Sequence, residues 1–343
     1  MLDLSREGVS LGHKICIISL TPVCYDFISR FDRDVEIIEI DLIGFVGKLV
    51  SIIKFRKVVK RFSPDVIHAH MVHSNIYVLC CKFFKVINVP VVITAHSVDE
   101  GITSFFYRLF SQFAAHCIHI SSVGLSLYRQ NGYFPSENSS YMPNGTAVYT
   151  ESKEALNLGN PVRFVTVGRL APEKNFEFMI NAMEQLTLCG VPFTLSIIGD
   201  GVLRSDLERL IASKGLNERI RIEGIVNDVR ARLESSDFFL MSSHFEGMPM
   251  SLLEACEVGL PSLVTDVGSC REVIEGLPNC FAVTPNDLDQ YVSSLRRLVL
   301  VDARNYFFGA QEIRRRVLDS YSVNSSFREL QKLYSNVACK SIT

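Results

Sequence analysis

Short β-branched runs alternate with segments whose apolar residues recur every three to four positions along nearly the whole chain. Such alternation is typical of parallel βαβ units, because a buried strand reaches its parallel neighbour through a helix. The pattern predicts strands over Ile15–Leu20, Val35–Ile40, Val66–Ala69, Val91–Ala95, Cys117–Ile120, Phe164–Val167, Thr194–Ile198, Ile220–Ile222, Phe238–Met241, Ser262–Val264 and Cys280–Val283. It predicts intervening helices that include Phe176–Gln185, Leu203–Ser213 and Leu288–Val299.

A polar segment near Gly145–Pro161, bounded by Asn-Gly and Asn-Pro, divides this pattern into two halves. A chain of 343 residues is long enough for two domains. We therefore expect an α/β protein with two doubly wound domains facing a cleft, which the carboxyl ends of their strands can line. The predicted parts are a first domain over 1–148, a linker over 149–161, a second domain over 162–320 and a C-terminal helix over 321–343 that crosses back to the first domain.

The first domain is unusual at its start. A helical pattern over Leu2–Leu11, closed by Gly12, precedes the first predicted strand. A doubly wound domain normally opens with a strand and a glycine-rich turn, on the order of 15–20 residues. We expect that strand to be missing from this sequence; it lies upstream or the sheet forms without it.

Composition limits the classes of function. The net charge of −2 argues against a general nucleic-acid-binding protein. The ten cysteines lack a C-x-x-C spacing, which favours reduced thiols in a cytoplasmic protein. We also expect no secretory signal peptide, because residues 1–12 are amphipathic, and no membrane span, because no uncharged apolar run reaches the ~18 residues that a span needs.

The segment VGRLAPEKN leads from a predicted strand into a helix. Gly168 permits a sharp turn, while Arg169 and Lys174 place two cations at the carboxyl end of the strand. Two cations beside a helix amino terminus suit a phosphate or diphosphate. A solvated basic loop is the alternative interpretation.

A second strand–glycine–helix turn lies in IIGDGVLRSDL, with Gly199 and Gly201. The G-D-G sequence does not match the G-x-G-x-x-G dinucleotide fingerprint. A tight packing turn and a position near a ligand therefore remain equally open.

Two glutamates, Glu246 and Glu254, stand eight positions apart in the apolar stretch HFEGMPMSLLEACEVGLP. Pro249 predicts a helix start between them, so that Glu246 lies in a loop and Glu254 lies within the helix. Free amides at Met250, Ser251 and Leu252 would attract an anion, and carboxylates can bind sugar hydroxyls. A capping role explains Glu246 alone but not Glu254.

These segments resemble the retaining glycosyltransferases of family four (glycosyl transferases group 1), of the bacterial surface-polysaccharide type. FEGMPMSLLEA and the following CEVGLPSLVTDVGSCREVI are similar to the E-x7-E block of that family, and VGRLAPEKN to its phosphate segment. PDVIHAH, TAHS and MPNG are similar to landmarks of its amino-terminal domain. The resemblance covers nearly the whole chain and implies the GT-B fold.

The resemblance also implies roles for particular residues. Arg169 and Lys174 would hold the donor diphosphate and stabilise it as it leaves. Glu254 would accept hydrogen bonds from the ribose, while Glu246 and His96 would contact the donor sugar. The residues implied to bind the donor are Gly168, Gly199, Gly201, Glu223, Gly224, Gly247, Met248, Met250, Ser251, Leu252 and Glu254.

The chain departs from the family pattern at three places. The glycine-rich turn after the first strand is missing, Thr146-Ala147 follow MPNG where the family usually has an acid, and Ser269 replaces the second glycine of T-D-x-G-G. None of these places belongs to the diphosphate segment. We therefore expect the donor site to follow the family more closely than the acceptor site.

Seven of the eight histidines fall in the first half, and His68, His70 and His73 form an H-x-H-x-x-H pattern. This spacing invites a metal site, but His68 belongs to a strand end. The resemblance implies a protein that needs no metal or other cofactor, because cationic side chains can stabilise the leaving diphosphate.

The stretch Lys48–Arg61 contains six cations and no acid, with apolar residues between them. It predicts an amphipathic helix suited to an anionic membrane surface, which would place the protein peripherally at the inner face of the cytoplasmic membrane. An ordinary surface helix is the alternative.

The resulting hypothesis is a retaining transferase that moves a hexose or N-acetylhexosamine from a nucleotide diphosphate sugar to a sugar hydroxyl of a lipid-linked or polysaccharide acceptor. A UDP-sugar is the first expectation for the donor, followed by GDP-mannose. The alternatives are an epimerase or hydrolase of nucleotide sugars, and a non-catalytic nucleotide-sugar binder.

Overall fold

A computed structural model describes residues 1–23, 28–40, 42, 44–96, 102–134, 136–149 and 160–340. The chain divides into two compact units. Met1–Gly145 and Val323–Thr343 form the first unit, and Thr146–Ser322 form the second. Residues 150–159 of the predicted linker lie outside the described part of the chain.

The first unit alternates helices and parallel strands. Its elements in chain order are α1 (Leu2–Ser10), β1 (Ile15–Ser19), β2 (Val35–Glu39), α2 (Gly44–Phe62), β3 (Ile67–His70), α3 (Val72–Phe83), β4 (Val91–Ala95), α4 (Ile102–Phe110), β5 (His116–His119), α5 (Ser122–Gln130) and β6 (Ser139–Tyr141). The predicted strands of this half are present to within a residue or two. The sequence pattern did not predict β6, because its residues Ser-Ser-Tyr carry no apolar run.

The strands of the first unit pair in two separate groups. β1 pairs with β2, and the other four strands pair in the order β3-β4-β5-β6, all parallel. No ladder joins β1 to β3 among the described residues. In a doubly wound sheet of strand order 3-2-1-4-5-6, the first strand occupies this position. Among the described residues, helix α1 thus precedes β1, and β1 and β2 form a pair separate from the four-stranded sheet; the missing first strand stays a prediction.

The second unit contains a single six-stranded parallel sheet. Its elements are β7 (Val162–Val167), α6 (Phe176–Leu188), β8 (Phe193–Ile198), α7 (Arg204–Ser213), β9 (Ile220–Gly224), α8 (Val229–Glu234), β10 (Phe238–Leu240), α9 (Met250–Glu257), β11 (Ser262–Thr265), α10 (Cys270–Ile274), β12 (Phe281–Val283), α11 (Leu288–Val299) and α12 (Ala303–Ser320). The strand order is β12-β11-β10-β7-β8-β9. The chain thus leaves β7 first toward one edge of the sheet and then toward the other. This reversal creates a switch point between β7 and β10, where sheets of this kind bind ligands beyond the strands' carboxyl ends.

Helices cover the sheets on both faces. In the second unit, Phe164, Leu195 and Phe238 of the central strands are buried together with side chains of α6, α7 and α11. The last helix, α13 (Val323–Lys340), packs with α1 on one face of the first unit, where Leu330 and Val337 meet Val92 and Ile118. No helix in the described ranges is long and apolar enough to cross a bilayer.

Candidate functional site

Three loops of the second unit meet at the switch point. They follow β7, β8 and β10, and together contain most of the residues that the resemblance assigns to the donor site. A small cavity at this place is lined by Thr166, Lys174, Ser243, Glu246 and Ser251, among others. The predicted phosphate segment and the E-x7-E block are therefore neighbours in space.

The centre of this site is a hydrogen-bonded group of three side chains. The ammonium of Lys174 donates to Glu246 Oε1 at 2.6 Å, and the hydroxyl of Ser243 donates to the same oxygen at 2.6 Å. The Glu246 side chain is only 10% exposed and that of Lys174 is 23% exposed. Oε1 thus accepts two hydrogen bonds, whereas Oε2 accepts none from the described residues. Ser243 was not predicted as a site residue.

Backbone contacts fix the loop after β10 against the loop after β7. The buried Ser242 hydroxyl lies 3.0 Å from the Lys174 carbonyl oxygen and 2.9 Å from that of Asn175. The His244 amide donates to the carbonyl of Glu173 at 2.8 Å. These bonds hold both ends of the Lys174–Glu246 contact in place without a ligand, so that the site is preorganised.

Arg169 is placed differently from Lys174. Its side chain is 73% exposed and forms an ion pair with Glu173, four residues further along. A hydrogen bond from the Glu173 amide, together with Arg169, lowers the pKa of the Glu173 carboxyl. Both predicted cations therefore follow β7 as expected, and each is paired with a carboxylate.

The loops after β7 and β8 approach each other through their backbones. A Cβ atom on Gly199 would lie 2.0 Å from the Gly168 carbonyl oxygen, and one on Gly201 would lie 2.5 Å from that of Leu170. The Gly199 amide also donates to the Gly224 carbonyl at 2.8 Å. These glycines are therefore required for close packing of the loops that surround the switch point, whether or not they contact a ligand.

Gly268 supports the Glu246 loop from the other side. Its φ is +55°, and a Cβ there would lie 2.2 Å from the Glu246 carbonyl oxygen and 2.5 Å from that of Gly247. The Ser269 amide donates to the Gly247 carbonyl at 2.9 Å. The glycine of T-D-V-G-S is the sequence signal for this close approach.

Helix α9 supplies fewer free amides than predicted. Pro249 is its N-cap residue, and the amide of Leu252 donates to the Pro249 carbonyl at 3.2 Å. The predicted free amide of Leu252 is therefore wrong. The amides of Met250 and Ser251 donate to no carbonyl in the described chain, so these two can receive an anion.

The structure adds detail at three further residues predicted to bind the donor. The Met248 side chain is buried at 5% exposure, so only its backbone can line a ligand site. The Glu223 carboxylate forms an ion pair with Arg232 at 3.1 Å, although it ends β9 beside Gly224 as predicted. Glu254 lies in α9 and is half-buried, one turn or more beyond the helix start.

A third glutamate of the same stretch, Glu257, has a structural role and was not predicted as a site residue. It is 2% exposed and forms ion pairs with Arg230 and, at 3.5 Å, with Arg314. It also accepts a hydrogen bond from the Tyr149 amide at 3.2 Å. A buried carboxylate requires such partners, and Glu257 thereby ties α8, α9, α12 and the start of the unit together.

His96 lies in the first unit, directly after β4, and is half-buried. Its Nε2 is 3.3 Å from Nδ1 of His70. Burial lowers the pKa of His96, and the charge of the chain's amino terminus lowers it further. His96 is therefore a neutral imidazole near pH 7, in which one ring nitrogen can donate a hydrogen bond and the other can accept one.

Within the H-x-H-x-x-H pattern, the ring centroids of His68 and His70 lie 4.1 Å apart. His68 bonds Tyr334 at 2.5 Å and Thr94 at 2.7 Å, while His73 is exposed on α3. In the described ranges no group of histidine, cysteine and acidic side chains has a metal-binding arrangement. The nine described cysteines are free thiols.

The fold and the switch-point site define a class of proteins. Both units are Rossmann-like, and the solved structure of HepE from Anabaena, in complex with UDP, superimposes with a TM-score of 0.81. That alignment covers 98% of this chain and 96% of HepE at 16% sequence identity. The chain thus has the GT-B fold of glycosyltransferases.

The family follows from sequence comparison. The profile of Glycosyltransferase Family 4 matches residues 1–149, and that of Glycosyl transferases group 1 matches residues 148–306. Together the two models match residues 1–306. The chain belongs to the glycosyltransferase family that these two models describe, and it is a glycosyltransferase.

Two relatives show how widely the similarity extends. The UDP-Gal:alpha-D-GlcNAc-diphosphoundecaprenol alpha-1,3-galactosyltransferase of Escherichia coli is 25% identical over 316 residues, 85% of this chain and 80% of the relative. The alpha-D-kanosaminyltransferase of Streptomyces kanamyceticus is 25% identical over 284 residues, 74% of this chain and 72% of the relative.

Proposed function

We propose that this glycosyltransferase moves a hexose or N-acetylhexosamine from a UDP-sugar to a sugar hydroxyl of a lipid-linked or polysaccharide acceptor, with retention of the anomeric configuration. The observation that carries the proposal is the preorganised contact between Lys174 and Glu246 at the switch point, beside the free amides of Met250 and Ser251. A cation, two amides and a carboxylate together match a diphosphate joined to a sugar.

Lys174 acts on the diphosphate. Its ammonium has three donors, and the contact with Glu246 uses one of them. The remaining donors, with the exposed guanidinium of Arg169, stabilise the charge that grows on the diphosphate as the bond to the sugar breaks. Attack by the acceptor hydroxyl on the same face gives retention, by positioning and electrostatics.

The carboxylates bind hydroxyl groups in this proposal. Glu246 Oε1 is occupied by two donors, so Oε2 is the oxygen that accepts from a hydroxyl of the donor sugar. Glu254 accepts from the ribose. His96 contacts the donor sugar, an assignment that rests on the family resemblance.

The identities of donor and acceptor are supported by related proteins. The E. coli relative uses UDP-galactose and a sugar linked to diphosphoundecaprenol, and HepE binds UDP. We propose a UDP-sugar and a lipid-linked or saccharide acceptor for this enzyme by analogy. We also propose that it works without a metal, because Lys174 and Arg169 supply the positive charge that a divalent cation would bring.

The place of action follows from the substrates. We propose that the enzyme works in the cytoplasm at the inner face of the membrane, where helix α2 meets anionic lipid through the stretch Lys48–Arg61. Lys54, Arg56, Lys57 and Lys60 are exposed on α2, whereas Val59 is buried; the side chain of Lys48 lies outside the described part. Free cysteines are typical of a reducing compartment.

A thermal-shift panel tests the donor proposal. UDP and UDP-sugars at 100 times their Kd should stabilise the protein by ~2.7 kcal/mol, a visible rise in Tm. The same panel contains GDP and GDP-mannose, with and without EDTA. Stabilisation by GDP ligands alone, or loss of the effect in EDTA, would contradict the proposed donor or the metal independence. NMR of the product's anomeric proton then tests retention.

A further inference from the structure

Three helices of the first unit, α2, α3 and α4, pack on one shared core. Their inner side chains share one core that includes Phe55 of α2, Leu79 of α3 and Tyr107 of α4. The rings of Phe55 and Tyr77 meet at 5.4 Å between α2 and α3. Helix α3 in turn packs against α4. The outer sides of these helices therefore form one continuous surface.

The residues within these three helices carry charges of a single sign. The helices α2, α3 and α4 contain no aspartate or glutamate. Exposed cations stand on α2, directly after α3 and on α4: Lys54, Arg56, Lys57, Lys60, Lys85 and Arg108. Arg61 at the end of α2 is different, since it forms an ion pair with Glu36 of β2. Soluble surfaces usually intersperse both signs, so an acid-free layer of three helices predicts a negatively charged partner.

The same surface exposes large apolar side chains. Phe84 is 70% exposed, Phe105 is 63%, Ile53 is 55% and Leu109 is 48% exposed. We name the six cations and these four apolar residues the basic-apolar face. Single exposed apolar residues are ordinary, but a group of them among unpaired cations marks an interaction site.

Backbone and ring contacts hold the exposed side chain of Phe84 in place. The Phe84 amide donates to the Cys80 carbonyl at 3.0 Å, and its ring meets that of Phe83 at 4.9 Å. Phe83 in turn contacts Phe110 at 5.4 Å and Phe113 at 5.1 Å. The exposure of Phe84 therefore does not come from a frayed helix end.

We propose that the basic-apolar face docks on an anionic lipid bilayer, with Phe84, Phe105 and Leu109 inserted between headgroups and acyl chains. The cations then contact lipid phosphates, while the aromatic rings occupy the interfacial layer that such rings prefer. Each cation near an anionic leaflet adds to the attraction, and each inserted side chain adds a contribution that salt does not screen.

This inference extends the membrane contact of α2 proposed above to α3 and α4, and adds insertion to electrostatic attraction. It does not require that the enzyme bind a donor. Its tests therefore use vesicles without nucleotide sugar, so that their failure leaves the proposed transfer reaction untouched, and the reverse also holds.

The chain contains no tryptophan, which permits a direct test of insertion. Phe84→Trp and Leu109→Trp are each introduced as single fluorescent probes; the matched control is Leu188→Trp, at a residue 75% exposed in the second unit. With vesicles of phosphatidylcholine and phosphatidylglycerol, the two probes should shift to the blue and be quenched by brominated acyl chains, while the control does not change. Absence of a shift at both probes overturns the proposal.

A binding series separates the two contributions. Phe84→Ser with Phe105→Ser should weaken co-sedimentation with anionic vesicles on the order of tenfold per side chain, which is ~1.4 kcal/mol each. Lys57→Glu with Lys60→Glu should abolish the preference for anionic over neutral vesicles. Leu188→Ser with Leu300→Ser, both exposed in the second unit, should bind as the parent does. Unchanged vesicle binding of the aromatic variant contradicts bilayer docking. Bilayer docking is also contradicted if single-stranded RNA displaces the protein from the vesicles more strongly than added competing lipid does.

Discussion

Lys174 Nζ lies 2.6 Å from Glu246 Oε1, although the two residues are 72 positions apart in the chain. They come from the loops after β7 and β10, on opposite sides of the switch point. The residue assigned to the diphosphate and the residue assigned to the sugar are therefore coupled before a donor binds. A change at either one should alter how the protein binds both parts of the donor.

Ser243 positions Glu246, because its hydroxyl occupies one of the two acceptor positions of Oε1. Ser243→Ala should leave the Glu246 carboxylate free to rotate. Because a hydrogen bond to a charged group is worth ~1.5–3 kcal/mol, we expect the KM for the donor to rise about tenfold. We also expect selectivity among donor sugars to decrease. Steady-state kinetics with several UDP-sugars measure both effects.

The matched control is Ser262→Ala, a buried serine of β11 that bonds the Leu260 carbonyl at 3.0 Å. Its loss of stability should be similar, but donor selectivity should not change. If Ser243→Ala keeps the parent's KM and selectivity, Ser243 does not orient Glu246.

Gly268→Ala should disable the donor site by displacing the Glu246 loop. The new Cβ would lie 2.2 Å from the Glu246 carbonyl oxygen, so the loop must move. We expect the thermal shift with the nucleotide sugar to disappear. The control is Gly215→Ala. Gly215 has a similar φ of +67°, and nothing lies within 4 Å of the new Cβ. This variant should lose only the ~1–2 kcal/mol of left-handed backbone strain and should keep donor binding. Equal donor binding by both variants would exclude this role for Gly268.

Glu257 should contribute to stability rather than to catalysis. Glu257→Ala leaves Arg230 and Arg314 without their buried partner, and we expect a loss of about 3–5 kcal/mol in the free energy of unfolding. Glu312→Ala removes an exposed ion pair with Arg315 and should cost under about 1 kcal/mol. Urea unfolding compares them; similar losses would show that the buried cluster is unimportant.

Stability should fall with pH below about 6.5, the usual histidine pKa in an unfolded chain. Burial lowers the pKa of His68 to about 3 and, with the charges of Arg129 and His116, that of His119 to about 4. Below pH 6.5 the unfolded chain therefore binds protons that the folded chain does not bind. Each such histidine should lower the free energy of unfolding by about 1.4 kcal/mol per pH unit.

Urea unfolding between pH 7.5 and pH 5 measures this slope. Replacing His119 by Phe among its aromatic neighbours Tyr128 and Phe134 removes one titrating group and should make the slope shallower. A slope that stays the same in His119→Phe would mean that folding does not lower the pKa of His119.

Hydrophobic periodicity was sufficient to predict most of the architecture. Strands such as Val91–Ala95 and helices such as Leu288–Val299 are confirmed because their burial follows directly from a continuous apolar run or a helical stripe. The strand β6 was not predicted, because it pairs through its backbone at the sheet edge and its residues are Ser-Ser-Tyr.

The site could be predicted only in part, because motifs identify residues but not their partners. The pattern indicated Lys174 and Glu246 separately, and their contact appears only when the strand order is known. Ser243 and Gly268 were missed because a serine and a glycine in a loop have many ordinary roles. Glu257 was overlooked since its two arginines lie far away in the sequence, and the assignments of the site residues to donor groups stay predictions.

Acceptor-dependent nucleotide release measures whether Lys174 stabilises the leaving diphosphate. The control is Lys214→Ala in the same unit, away from the switch point. The Lys214 side chain is 19% exposed, and its ammonium lies 2.7 Å from Glu184 Oε2, so this substitution also removes an ion pair. Lys174→Ala should lower kcat by about 10²–10³, as for other groups that stabilise a transition-state charge, while Lys214→Ala keeps normal turnover and both variants remain folded. Near-normal turnover of Lys174→Ala would contradict the account.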